Sequence, residues 1–95
     1  MSMDNFLSFL QQILTMVDPG NASSVALGQA ALTAVVGLAK SSVKANPVTL
    51  RSMMIADMQF EYLVDHREDF IGIPGEYQAN QVKRRRLQHV IMPGC

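Results

Sequence analysis

The sequence predicts an all-α domain on three observations. Apolar residues recur at three- and four-residue spacing in two segments, 3–17 and 47–65, and a third, 23–44, is uncharged before Lys40 and rich in small apolar residues. Turn-forming runs, Asp18-Pro19-Gly20-Asn21 and Asn46-Pro47, divide those segments. The composition, 48% apolar against 17% charged over 95 residues, is too apolar for a disordered chain and too short for more than one domain. The expected architecture is a small bundle or hairpin of three helices, with residues 1–95 as a single domain. It ends in a C-terminal arm over 76–95 that is either helical or extended.

The first helix, 3–17, places Phe6, Phe9, Leu10, Ile13 and Val17 on one stripe, which Leu7 and Leu14 widen. Ser2 or Asp4 caps its start, and Asp4 suits the positive end of the helix dipole. The second helix, 23–44, carries no charge before Lys40 and is rich in small residues, among them Gly28, Ala30, Ala34 and Gly37. Ser23 or Ser24 is its expected N-cap, and Lys40 and Lys44 suit its negative end. Asn46-Pro47 closes this helix and opens the next, with Asn46 as N-cap and Pro47 at the first helical position.

The third helix, 47–65, sets Met53, Ala56, Phe60, Leu63 and Val64 on one face, extended sideways by Leu50, Met54 and Met58. Asp57, Glu61 and Asp65 form a ridge at four-residue spacing. An apolar loop, Phe70-Ile71-Gly72-Ile73-Pro74-Gly75, follows a charged exit. In the arm, Ala79, Val82, Arg86 and Val90 share one helical face, while Val90-Ile91-Met92 reads equally well as a strand. The expected core is Phe6, Phe9, Leu10, Ile13, Leu32, Val36, Phe60 and Leu63.

The second helix admits two readings. Its densest apolar stretch, Val25 to Ala39, covers 15 residues. At 1.5 Å per residue that is roughly 22 Å, short of the ~30 Å hydrocarbon core of a bilayer. The stretch also contains Gln29 and Thr33. A buried core helix is therefore expected in preference to a membrane span.

Formal net charge is zero, which argues against a general nucleic-acid coat, but the charge is unevenly placed. In residues 1–50, Asp4 and Asp18 offset Lys40 and Lys44; in 51–76, two arginines face six acids, a net −4; in 77–95, Lys83, Arg84, Arg85 and Arg86 meet no acid, a net +4. This layout favours head-to-tail pairing of the basic run with Asp57, Glu61 and Asp65 of a neighbouring copy, with Phe70, Ile71 and Ile73 supplying apolar contact. The same basic run could take phosphate from nucleic acid or anionic lipid, although Tyr77 is its only nearby aromatic.

No chemistry-bearing constellation emerges from the sequence. A carboxylate metal site would need acids from several helices and a Glu-x-x-His pair, whereas Glu61 and His66 are five apart. A single cysteine, Cys95, makes no internal disulfide or cysteine zinc site. No catalytic residue, cofactor or metal is expected. The first cation is Lys40, so no cleaved secretory signal is expected, and the cytoplasm or an assembled particle is the expected location. A domain this small buries only about 60–65% of its unfolded surface, which favours association. The expected function is a non-enzymatic assembly subunit of a multi-copy complex, such as a virion component or a secretion-machine part. Its partners would be copies of itself or other subunits. The alternative is a small membrane-associated protein anchored through residues 23–44.

Overall fold

A computed structural model describes residues 1–92; the end of the expected arm, 93–95 with Cys95, lies outside the described residues. Helix α1 spans Met3–Met16, α2 Ala22–Lys40, α3 Pro47–Met58, α4 Phe60–Asp65 and α5 Tyr77–Ile91, with a single 3-10 turn at Arg67–Asp69. No strand occurs among the described residues, so the all-α expectation holds. The expected set of three helices and an arm becomes four long helices and one short one.

The ends of the helices follow from local side chains. Ser2 Oγ accepts the Asn5 N–H at 3.1 Å, and Asn46 Oδ1 accepts from Val48 and Thr49 with Pro47 opening α3. Helix α2 is capped by Asn21 rather than by Ser23 or Ser24. Asn21 is extended, and its Oδ1 accepts both serine N–H groups, at 3.0 and 3.2 Å. Ser24 instead uses its Oγ to accept the Asp18 N–H at 2.9 Å, which ties the preceding turn to the helix. At the other end α2 stops at Lys40, so Lys44 lies in the connection to α3.

The expected helix 47–65 is interrupted at Gln59, whose backbone (φ −99°, ψ 14°) leaves the helical region. Gln59 N–H still donates to Ile55 and Leu63 N–H to Gln59, both at 2.9 Å, so the hydrogen-bond ladder runs through the distortion. The arm is helix rather than strand. Its inward face also differs from the expected one: Leu87 and Ile91 are buried and Asn80 and Arg84 partly so, whereas Val82 and Arg86 are exposed. The i, i+4, i+7, i+11 row from Asn80 to Ile91 wins because it alone brings Leu87 and Ile91 to the core together.

One core joins all five helices, with Phe6, Leu7, Leu10 and Leu14 of α1, Leu32 of α2, Ala56 of α3, Phe60 and Leu63 of α4, and Leu87 and Ile91 of α5 all essentially inaccessible. Phe9 of the expected core is only partly buried. The buried stripe of α1 is centred toward Leu7 and Leu14, which leaves Phe9 at its edge. Phe70, expected as a docking residue, is likewise part of the core at 3% exposure. The 3-10 turn brings the chain back against α1, where Gln11 Nε2 donates to the Phe70 carbonyl at 2.9 Å.

Two close approaches fix how helices sit. A Cβ on Gly28 would lie 2.7 Å from Val17 Cγ2 and 3.1 Å from Phe60 Cζ, so α2 meets α1 and α4 at a point with no room for a methyl group. A Cβ on Gly72 would coincide with the Asn80 carboxamide, 1.4 Å from its Oδ1, so the loop before α5 and α5 itself interlock.

Phe60→Ala is expected to cost about 3–5 kcal/mol, read by urea unfolding, because it empties a fully packed site. The two helix glycines should diverge in the same measurement. Gly28→Ala forces Val17 and Phe60 apart and should destabilise by about 1–3 kcal/mol. Gly37→Ala meets nothing within 4 Å and should stabilise by up to about 1 kcal/mol through helix propensity.

Candidate functional site

Helix α2 is the most apolar helix and the least covered. It is long and apolar enough to cross a membrane, yet only 17% of its apolar stretch is buried. Leu32 and Val36 are its two buried residues. The expectation of a buried core helix is therefore corrected: α2 lies on the surface with one face in contact. The cause is the arrangement of neighbours, since α1, α3 and α4 all pack on the side carrying Gly28, Leu32 and Val36. On the opposite side Ala30, Ala31 and Ala34 are exposed, and Leu27 and Leu38 are each 75% exposed. Leu27, Ala31, Ala34 and Leu38 follow i, i+4, i+7, i+11 spacing and form one stripe.

The rotation of α2 is fixed by a carboxylate. Asp57 Oδ1 accepts from Gln29 Nε2 at 2.6 Å and from Thr33 Oγ1 at 2.7 Å, and the Asp57 carbonyl accepts from Gln29 Nε2 at 3.3 Å. The polar pair on α2 is thereby turned toward the last turn of α3. The outward stripe is left without a polar group of its own. Sequence reasoning missed this contact, though it had a signal: Gln29 and Thr33 stand four apart in an otherwise apolar helix, which places two polar side chains on one face.

The expected interaction residues separate into engaged and free groups. Asp57 is engaged as described. Arg84 is bound to α1: its guanidinium donates to the Asp4 carbonyl at 2.6 Å, to Ser8 Oγ at 3.0 Å and to Gln11 Oε1 at 3.2 Å, and lies 3.5 Å from the Asp4 carboxylate. Among the described residues this is the one ion pair. Lys83 is partly covered, while Arg85 and Arg86 are exposed. Glu61 and Asp65 are exposed and help to line an open groove of about 430 Å³ between the first half of α2 and α4, with Pro19, Ala22, Val25 and Val64 also in its wall. Of the apolar loop, Phe70 is core, Ile71 half-buried and Ile73 exposed. Arg67 donates to the Val17 carbonyl and closes the end of α1.

Nearby, the Tyr62 and His66 rings stack at 4.2 Å, and His66 Nδ1 lies 2.9 Å from the Tyr62 carbonyl. Among the described residues no three His, Cys, Asp or Glu side chains converge as a metal site would need. No family model, no curated protein and no solved structure matches the chain.

Asp57→Ala should lower stability by about 1–2 kcal/mol, because the partly buried Gln29 amide and the exposed Thr33 hydroxyl lose a charged acceptor. Glu61→Ala, at an exposed position, should stay within about 0.5 kcal/mol. The same contrast is expected on α5. Arg84→Ala should cost about 1–2 kcal/mol, chiefly through its hydrogen bonds and packed stem rather than its ion pair. Arg85→Ala and Arg86→Ala should each be near neutral, all read by urea unfolding.

Proposed function

We propose that this chain is a non-enzymatic assembly subunit of a multi-copy complex, of the kind found in virion shells or secretion machines. The observation that carries this reading is the apolar helix α2, covered on one face only and with leucines and alanines exposed on the other. A monomer gains nothing from leaving such a surface in water, whereas an assembly buries it. Small residues favour a close helix–helix seam, since they let two backbones approach.

Charge supports a second contact between copies. With Asp57 and Arg84 engaged within the chain, the head-to-tail pairing reduces to Arg85 and Arg86, with Lys83 beside them, against Glu61 and Asp65 at the groove. Such a contact is heterologous, so it extends a chain of copies or closes a ring. Each exposed pair contributes only about 0.2–1 kcal/mol, which sets register and partner choice more than affinity.

Membrane association through residues 23–44 is the second reading, favoured by the length and composition of α2. A span would have to detach Leu32, Val36 and Gly28 from the core and break the Gln29 and Thr33 bonds to Asp57. The expected result is a defined oligomer in detergent-free buffer by light-scattering mass. Recovery only with detergent or lipid would favour the membrane reading instead. Reversing Arg85 and Arg86 to Glu should lower the mass of the assembly, and adding Glu61→Lys and Asp65→Lys in the same chain should partly restore it. If the Arg85/Arg86 reversal instead abolishes salt-dependent binding of the wild type to RNA, DNA or anionic vesicles, phosphate is the partner of the basic run.

A further inference from the structure

Resting on the assembly reading, we infer that α2 of one copy pairs antiparallel with α2 of a second copy, about a twofold axis passing between residues 32 and 33. The outward stripe reads Leu27, Ala31, Ala34, Leu38, large–small–small–large, and it is symmetric about that midpoint. Antiparallel pairing in this register sets Leu27 against Leu38 of the second copy at both ends and Ala31 against Ala34 at the centre. The alanines let the axes approach to the short end of the ~8–10 Å range, and the leucines close the ends of the seam. A twofold contact requires that one surface be complementary to itself, and this sequence symmetry supplies that.

The charges beside the helix select the same orientation independently. Asp18 precedes α2, Lys40 and Lys44 lie at its far end, and all three are exposed. Parallel pairing would bring each lysine beside its own copy and align the two helix dipoles. Antiparallel pairing brings Lys44, in the connection after α2, toward Asp18 of the second copy and opposes the dipoles, whereas Lys40 continues the Leu32–Val36 row and stays off the seam. Lipid is the poorer occupant. A helix lying in a membrane interface carries bulky apolar groups on one face and Lys or Arg on the polar one; here the outward stripe is half alanine and the other face is occupied by the core.

Between Leu27 and Leu38 the seam is about 16 Å long at 1.5 Å per residue. A single short helix–helix seam falls below the ~1,200–2,000 Å² of a standard stable interface, so the pair forms reversibly as concentration rises.

Single-cysteine chains in a Cys95→Ser background test the pairing. Under mild oxidation a mixture of Leu27→Cys and Leu38→Cys chains should form a disulfide-linked dimer, and Leu27→Cys alone should not, since its two cysteines would stand eleven residues apart along the seam. Ala34→Arg should keep the wild-type unfolding curve at dilutions where the wild type is monomeric, because Ala34 is exposed, and should lower the detergent-free mass at higher concentration. Linkage of Leu27→Cys to itself would establish parallel pairing and overturn the inference. So would an oligomer lacking the 27–38 link or unaffected by Ala34→Arg, although the assembly reading would survive both. A chain that stays monomeric at every concentration would remove both. Flotation of the detergent-free wild type with phosphatidylcholine–phosphatidylglycerol vesicles, lost in Ala34→Arg, would make lipid the occupant.

Discussion

The orientation of α2 about its own axis is the constraint on which the surface of this protein depends, and the Asp57 carboxylate sets it. An otherwise apolar helix has no strong preference for which side it turns inward. Two side chains four residues apart, Gln29 and Thr33, remove that freedom by sharing one acceptor oxygen. Gly28 adds a steric condition, since only a bare backbone fits against Val17 and Phe60. Together they commit Leu32 and Val36 to the core and leave a face without charge or hydrogen-bonding demand. Hydrophobic burial alone could not have made that choice, because apolar side chains lie all around the helix.

The division of the charged residues follows the same logic. Charge placed along the sequence suggests a simple contrast between an acidic segment and a basic tail. In three dimensions each segment gives up one member to internal structure. Asp57 orients α2, and Arg84 binds α5 to α1. What remains outside is smaller and better defined. An isologous seam on α2 and a heterologous charge contact between α4 and α5 would together propagate in more than one direction, which a single interface cannot do.

Much of the architecture was legible in the residue pattern because local rules governed it. The Ser2 cap and the Asn46-Pro47 junction depend on near neighbours in sequence and stand as expected, and the stripe of α1 does so except for Phe9 at its edge. The inward face of α5 did not, because Arg84 counts as polar in any periodicity while its stem and donors lie against α1. Phe70 was misread for a related reason: a loop of apolar residues looks like a surface until a 3-10 turn returns it to the core. The exposure of α2 was the least accessible point. Apolar content predicts that a helix prefers burial, but it does not say whether the same chain contains enough neighbours to provide it.

The Arg84 contacts also bear on how the molecule comes to be folded. They join residues 76 and 80 positions apart, Ser8 and the Asp4 carbonyl at one end and α5 at the other. Contacts of such long sequence separation pay their chain-closure entropy late, after local helices and hairpins have formed. During synthesis α1 emerges before α2, α3 and α5, so Ser8 and the Asp4 carbonyl meet Arg84 only after α5 has left the ribosome. Closure of α5 over α1 thus requires both the first and the last of the described helices to be present. Self-association before that step would join subunits whose Leu87 and Ile91 side of the core is still open.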